Sequence, residues 1–202
     1  MHCPVRLRNP LMIEAIAIST AIVALAEIGD KTQLLAIVLA ARFKRPWPII
    51  GGILVATLAN HFLAALAGSA AAGWFDGPAF RYAVAIGFLA MAAWTLVPDK
   101  LDDDEAPAPA RFGAFLTTVA AFFLVEMSDK TQIATIALGA RFHDALAVTI
   151  GTTLGMMLAN VPAVLLGGEL VKRVPLQTVR IVAALLFAAL GIWLLLATAG
   201  VV

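Results

Sequence analysis

The sequence predicts an all-α integral membrane protein of six transmembrane helices, arranged as two inverted three-helix repeats. Three observations carry this. Of the 202 residues, 62% are hydrophobic and only 13% charged, with a mean hydropathy of +0.96. A soluble domain is about 45–50% apolar and about 25% charged. The apolar residues gather into six segments, at roughly 12–42, 47–73, 80–97, 112–141, 145–170 and 178–199. Finally, one seven-residue stretch occurs twice, as Glu27-Ile28-Gly29-Asp30-Lys31-Thr32-Gln33 and as Glu126-Met127-Ser128-Asp129-Lys130-Thr131-Gln132. The match runs on, with 10 of 17 positions identical between Glu27–Phe43 and Glu126–Phe142. Three spans per repeat is an odd number, so the second repeat enters the membrane from the opposite side. That is a recurrent plan of secondary transporters, with the substrate site near the midplane.

Residues 1–11 form an N-terminal tail, with Arg6 and Arg8 ahead of the first apolar run. Ala24-Leu25-Ala26 resembles a signal-peptidase site, but cleavage there would remove half of a segment whose repeat partner is intact. An uncleaved first span is expected. Repeat 1 occupies 12–98 and repeat 2 occupies 111–202. Between them lies an acidic, proline-containing loop, 99–110, with Asp102-Asp103-Asp104-Glu105 followed by Pro107 and Pro109.

A span needs about 20 apolar residues at a rise of about 1.5 Å each. The first and fourth segments exceed this, so helices 1 and 4 are expected to be long, carrying the motif at mid-membrane. They should be tilted, or broken at the motif where Gly29 and Ser128 ease a break. The second and fifth segments are rich in glycine (Gly51, Gly52, Gly68; Gly151, Gly155, Gly167, Gly168), which lets helices approach closely in lipid. Asn60 and Asn160 match across the repeats in Leu-Ala-Asn. Each either bonds a neighbouring helix or lines a polar site. The third and sixth segments pair Arg81 and Trp94 with Arg180 and Trp193, for which anchoring at the membrane interface suffices.

Orientation follows from the basic residues. If loops 1–2, 3–4 and 5–6 share a side, that side holds eight (Arg42, Lys44, Arg45, Lys100, Arg111, Lys172, Arg173, Arg180). The other holds four (Arg6, Arg8, Arg81, Arg141), leaving out the two motif lysines. The bias puts loop 99–110 in the cytoplasm of a multi-pass inner (plasma) membrane protein. A net charge of +1 without a basic cluster speaks against nucleic acid. Cys3, His2, His61 and His143 are scattered, which disfavours a site built on nitrogen and sulfur. The motif offers no nucleophile–base pair and no phosphate-binding glycine loop, so an enzyme is not expected. A homo-oligomer is compatible with so small a bundle.

The chemistry lies in the doubled motif. An ionisable group at mid-bilayer costs roughly 2.5–3.5 kcal/mol, and here the same set recurs at the same spacing. On a helix, Glu27 and Asp30 would share a face, as would Glu126 and Asp129. Antiparallel first and fourth segments would then unite four carboxylates, supplemented by oxygens of Thr32, Thr131, Gln33 and Gln132. All-oxygen ligation suits hard cations such as Mg²⁺, Ca²⁺ or Mn²⁺, with Lys31 and Lys130 as counter-ions. The alternative, salt bridges that only hold helices together, is disfavoured because desolvation can exceed the Coulomb gain. Four acids and two lysines leave −2, which one divalent cation or two protons would neutralise.

The doubled Glu-x-Gly-Asp-Lys-Thr signature, in a six-segment chain of this size, resembles uncharacterised protein family 0016, the transmembrane-protein-165-like cation exchangers. The resemblance covers essentially 12–199. It implies a manganese/calcium cation–proton antiporter, with bacterial single-chain members resembling manganese exporters. The family's acidic positions fall on Glu27, Asp30, Glu126 and Asp129, and its basic and hydroxyl positions on Lys31, Thr32, Lys130 and Thr131. Ser128 stands where the family pattern has glycine, adding a candidate ligand oxygen. No resident cofactor is implied, since the divalent cation, Mn²⁺ first and Ca²⁺ next, is the substrate together with protons. Rival readings are an amino-acid-type exporter, which would need groups for both a carboxylate and an amine, and a passive cation channel.

Overall fold

The computed structural model describes residues 9–74, 77–97, 113–127, 129–167 and 175–201; loop 99–110 and Ser128 lie outside them. The described residues form helices α1 (Asn9–Glu27), α2 (Lys31–Phe43), α3 (Pro46–Trp74) and α4 (Pro78–Thr95), then α5 (Gly113–Met127), α6 (Lys130–Phe142), α7 (Ala145–Leu166) and α8 (Leu176–Thr198). No strand occurs among them. Three of these helices, α3, α7 and α8, are long and apolar enough to cross a membrane. The bent pair α1–α2 makes a fourth if it counts as one span.

Of the two forms expected for the long first and fourth segments, tilted or broken at the motif, the structure shows the break. Each is two helices interrupted at the motif, and α1 and α2 meet at an angle of 68°. The cause is local. Gly29 has φ +80°, a conformation open to glycine and strained for other residues. Asp30 is extended (φ −84°, ψ 168°) and starts α2, and Asp129 does the same for α6 (φ −92°, ψ 159°). Glu27 and Asp30 therefore do not share one helical face; they converge across a break. Non-helical backbone is tolerable at such depth only where protein or a polar cavity receives it.

The far ends of α2 and α6 also match. Lys44 and His143 take the left-handed conformation and donate their N–H groups to Ala40 and Gly139 carbonyls at 3.0 Å each, closing the helices as C-caps do. Asp144 then caps α7, its Oδ1 accepting from Ala147 N–H at 3.0 Å.

Packing crosses the halves of the chain. α1 and α2 pack on α7, α5 and α6 on α3, α3 on α7, and α4 on α8. The repeat-related Phe88 and Phe187 stack with ring centroids 6.4 Å apart. Backbones come close at glycine. A methyl group at Gly68 would lie 2.0 Å from the Ile136 carbonyl oxygen, and one at Gly155 would lie 2.7 Å from that of Thr20.

The exterior is apolar, and every described helix exposes large hydrophobic side chains (Leu11, Val38, Trp47, Ile86, Leu124, Ile133, Leu158 and Leu185 among them). Polar groups are inside: Glu27, Asp30, His61, Glu126, Asp129, Lys130 and Asn160 are all buried. A soluble protein shows the reverse distribution.

Candidate cation site

The two breaks face each other inside the bundle. Glu27 ends α1, Asp30 starts α2, and Asp129 starts α6. One carboxylate oxygen from each lies within 4.8 Å of the other two. All three side chains are buried, at 0%, 1% and 3% exposure, which excludes screening by bulk water. Lys130 crosses between the halves, with Nζ 2.9 Å from Asp30 Oδ1. It is buried too, whereas Lys31 is only partly so.

The fourth motif acid sits beside this trio and not within it. Glu126 Oε1 accepts from the Thr131 hydroxyl at 2.5 Å and lies 3.1 Å from His61 Nε2. Thr131 Oγ1 is also 2.9 Å from Asp129 Oδ2, so one hydroxyl links the fourth acid to the trio. Asn160 contacts Glu27 Oε1 at 3.4 Å and donates to the Met156 carbonyl at 3.1 Å. Asn60 instead donates to the Phe123 carbonyl at 2.9 Å. The two asparagines thus take one alternative each: Asn160 reaches the acidic cluster and Asn60 ties helices together.

Gln33 holds the first break in shape. Its Oε1 accepts from Gly29 N–H at 2.8 Å and its Nε2 donates to the Ala159 carbonyl at 3.0 Å. Arg180 Nη2 donates to the Gly29 carbonyl at 3.3 Å. That corrects its reading as an interfacial anchor, because the guanidinium serves the break. Gln132 Oε1 and Thr32 Oγ1 are buried without a hydrogen-bond partner among the described residues.

His61 is the residue that sequence reasoning passed over. It is fully buried and touches a motif acid, although no acid neighbours it in sequence. A signal was present: it follows the repeat-matched Asn60, where the second repeat has Val161 after Asn160.

The donor chemistry fits a hard cation. Glu27 Oε2, Asp30 Oδ2, Glu126 Oε2 and Asn160 Oδ1 are buried oxygens with no hydrogen-bond partner among the described residues. A buried acceptor left unsatisfied costs about 1–3 kcal/mol, more when charged. Several such oxygens converging from both halves can be satisfied together by a divalent ion, which takes carboxylate and carbonyl oxygens.

A helical bundle that is apolar outside and lined inside by convergent carboxylates is the construction of a multi-pass ion-carrying membrane protein. The chain belongs to the family of the divalent cation/proton antiporter GDT1, whose profile matches residues 15–103 and 114–201. This is a transporter family, not a class of enzyme, and it agrees with the family that the doubled motif resembles. The chain is 48% identical over 182 residues to a Vibrio cholerae protein named "Putative manganese exporter", covering 90% of each chain. It is 29% identical over 202 residues to a GDT1-like protein of Synechocystis, covering 87% of this chain and 94% of that one. A GDT1-like protein of Arabidopsis thaliana is 27% identical over 209 residues, covering 91% and 71%. No solved structure matches the chain.

Proposed function

We propose that the protein exports Mn²⁺ from the cytoplasm in exchange for protons, with Ca²⁺ as the next candidate substrate. The observation that carries this is the trio Glu27, Asp30 and Asp129, buried and within 4.8 Å of one another, with one lysine among them. Glu126, through Thr131, is the fourth ligand of the same site. In this reading the chain crosses the inner (plasma) membrane six times as two inverted repeats, α1–α2 and α5–α6 each being one broken span. Loop 99–110 faces the cytoplasm. With Arg180 assigned to the break, the basic residues still favour that orientation by seven to four.

The charge of the site supports obligatory exchange. Four carboxylates, with Lys130 and Lys31 as counter-ions, leave −2, which one divalent cation cancels. A bare −2 in a low-dielectric interior is prohibitive, so protons replace the departing cation and belong to the cluster as a set. The neutral cation-loaded and doubly protonated forms can both reorient across the membrane, and the empty charged form cannot. The name of the Vibrio cholerae relative supports manganese as the cation. An amino-acid-type exporter is less well supported, because the buried groups offer oxygens to a cation and no paired recognition of amine and carboxylate.

The test is flux in proteoliposomes. An inside-acid gradient should drive Mn²⁺ uptake, and imposed Mn²⁺ should move protons the opposite way. Mn²⁺ flux indifferent to the pH gradient at clamped voltage would remove antiport and favour a passive channel.

A further inference from the structure

Glu27 and Glu126 occupy equivalent positions in the two repeats, yet they are held by different chemistry. Asn160 of α7 stands beside Glu27 at 3.4 Å. By symmetry Asn60 of α3 should stand beside Glu126, but its amide is turned to the Phe123 carbonyl. The following residue, His61, takes that place, with Nε2 3.1 Å from Glu126 Oε1. Both side chains are almost completely buried, at 0% and 1% exposure. Val161, the residue equivalent to His61, can make no such bond.

Thr131 cannot do this alone. Its single hydroxyl hydrogen is shared between Glu126 Oε1 and Asp129 Oδ2; when it turns to Asp129, the bond from His61 remains. Glu126 Oε2 is buried and has no hydrogen-bond partner among the described residues. We propose that His61 is a positioning residue for Glu126: its Nε2–H holds Oε1, so that Oε2 is kept for the divalent cation. The proposal rests on the carboxylate cluster being the cation site. It makes the two halves of that site inequivalent, with an imidazole behind one glutamate and a carboxamide behind the other. Groups that orient a metal ligand from behind typically contribute about 10–100-fold to metal affinity.

The experiment is Mn²⁺ binding to the purified full chain in detergent, read from the electron paramagnetic resonance signal of the free ion. His61→Gln puts an amide N–H where Nε2 was, whereas His61→Asn stops at the depth of Nδ1. His61→Asn should raise the Mn²⁺ Kd by about 10–100-fold, and His61→Gln should recover most of that loss. In a Glu126→Gln background His61→Asn should add nothing, because a residue acting only through that carboxylate shows full coupling to it. Wild-type affinity in His61→Asn, no advantage of Gln over Asn, or an equal loss in the Glu126→Gln background would each overturn the proposal.

A measurement on the wild-type chain needs no variant to fold. With ¹⁵N-labelled histidine, stoichiometric Mn²⁺ should broaden one buried imidazole resonance ahead of the other two, the sequence having only His2, His61 and His143. Parallel broadening of all three, or of none, counts against it. Asp30→Asn serves as the control on the underlying reading. Wild-type Mn²⁺ affinity in that variant would remove the cation site itself, whereas failure of the His61 pattern alone would leave the site standing.

Discussion

The close approach of α3 and α6 sets the distance between His61 on one helix and Lys130 and Thr131 on the other, so widening it should damage transport. Gly68→Ala is the perturbation. Its methyl group would fall 2.0 Å from the Ile136 carbonyl oxygen and 2.9 Å from the Ala140 nitrogen, where ordinary contact begins at 3.4 Å. Both obstructing atoms are backbone, so no side chain can swing away, and the helices must part by about 1.4 Å, the difference between 3.4 and 2.0 Å. Overpacking of this kind costs about 1–3 kcal/mol. A displacement of about 1 Å at a working site can cost about 10²-fold in rate. Gly87→Ala is the matched control, since an added methyl group there meets nothing within 4 Å. Equal amounts of each variant would be reconstituted and Mn²⁺ uptake followed under an inside-acid gradient, with thermal unfolding measured in parallel. Gly68→Ala should melt lower and carry on the order of 1% of wild-type flux, with Gly87→Ala close to wild type. Equal flux in the two variants would refute the claim that this contact holds the site together.

Three further outcomes are expected. Glu27→Gln, Asp30→Asn, Glu126→Gln and Asp129→Asn should each abolish or severely reduce exchange while membrane insertion persists; normal flux after substitution of both acids in either copy would contradict a shared site. Gln33→Leu should lower thermal stability, because it leaves the buried Gly29 N–H unsatisfied at about 1–3 kcal/mol and removes the tie to the Ala159 carbonyl, and an unchanged melting temperature would show the break to be held by other contacts. Single cysteines placed in 99–110 on a Cys3→Ser background should resist impermeant thiol reagents applied to intact cells, whereas ready labelling from outside would invert the proposed orientation.

How legible the site was in the sequence can be followed residue by residue. The doubled motif contains all three acids that cluster, and they stand out in the sequence because insertion cost makes buried charge conspicuous in an apolar chain. The acids were expected to share helical faces, an i,i+3 argument valid only if the helix continues through Gly29. Extended backbone at Asp30 and Asp129 ended the helices and brought the carboxylates together by another route. Lys31 and Lys130 read alike as candidate counter-ions, and symmetry gives no reason to bury one more deeply than the other. His61 and Arg180 escaped for a common reason. Their partners, Glu126 and the Gly29 carbonyl, are 65 and 151 residues away along the chain, and no periodicity within one helix encodes such a contact.

The unequal lysines carry the last prediction. Lys130 lies on Asp30 of the opposite repeat, and Thr131 bonds both Glu126 and Asp129. Their counterparts are placed differently: Lys31 is only partly buried, and Thr32 Oγ1 has no hydrogen-bond partner. Matching motifs in unlike surroundings are expected if inverted repeats exchange conformations as the site opens first to one side and then to the other. In the opposite-facing state Lys31 would then be the deeply buried lysine, and Thr32 would bridge Glu27 and Asp30. Each lysine would supply the counter-charge in one half of the cycle. Two unit charges about 4 Å apart at an effective dielectric of about 20 interact by on the order of 4 kcal/mol, enough for either loss to arrest its own state. Lys31→Met should therefore stop exchange as completely as Lys130→Met, although Lys130 is the more deeply buried of the two here. The assay is proton-driven Mn²⁺ uptake by each variant in proteoliposomes. If Lys31→Met turns over at the wild-type rate while Lys130→Met is inactive, the two motifs do not trade places, and the asymmetry seen here is a permanent feature of the site.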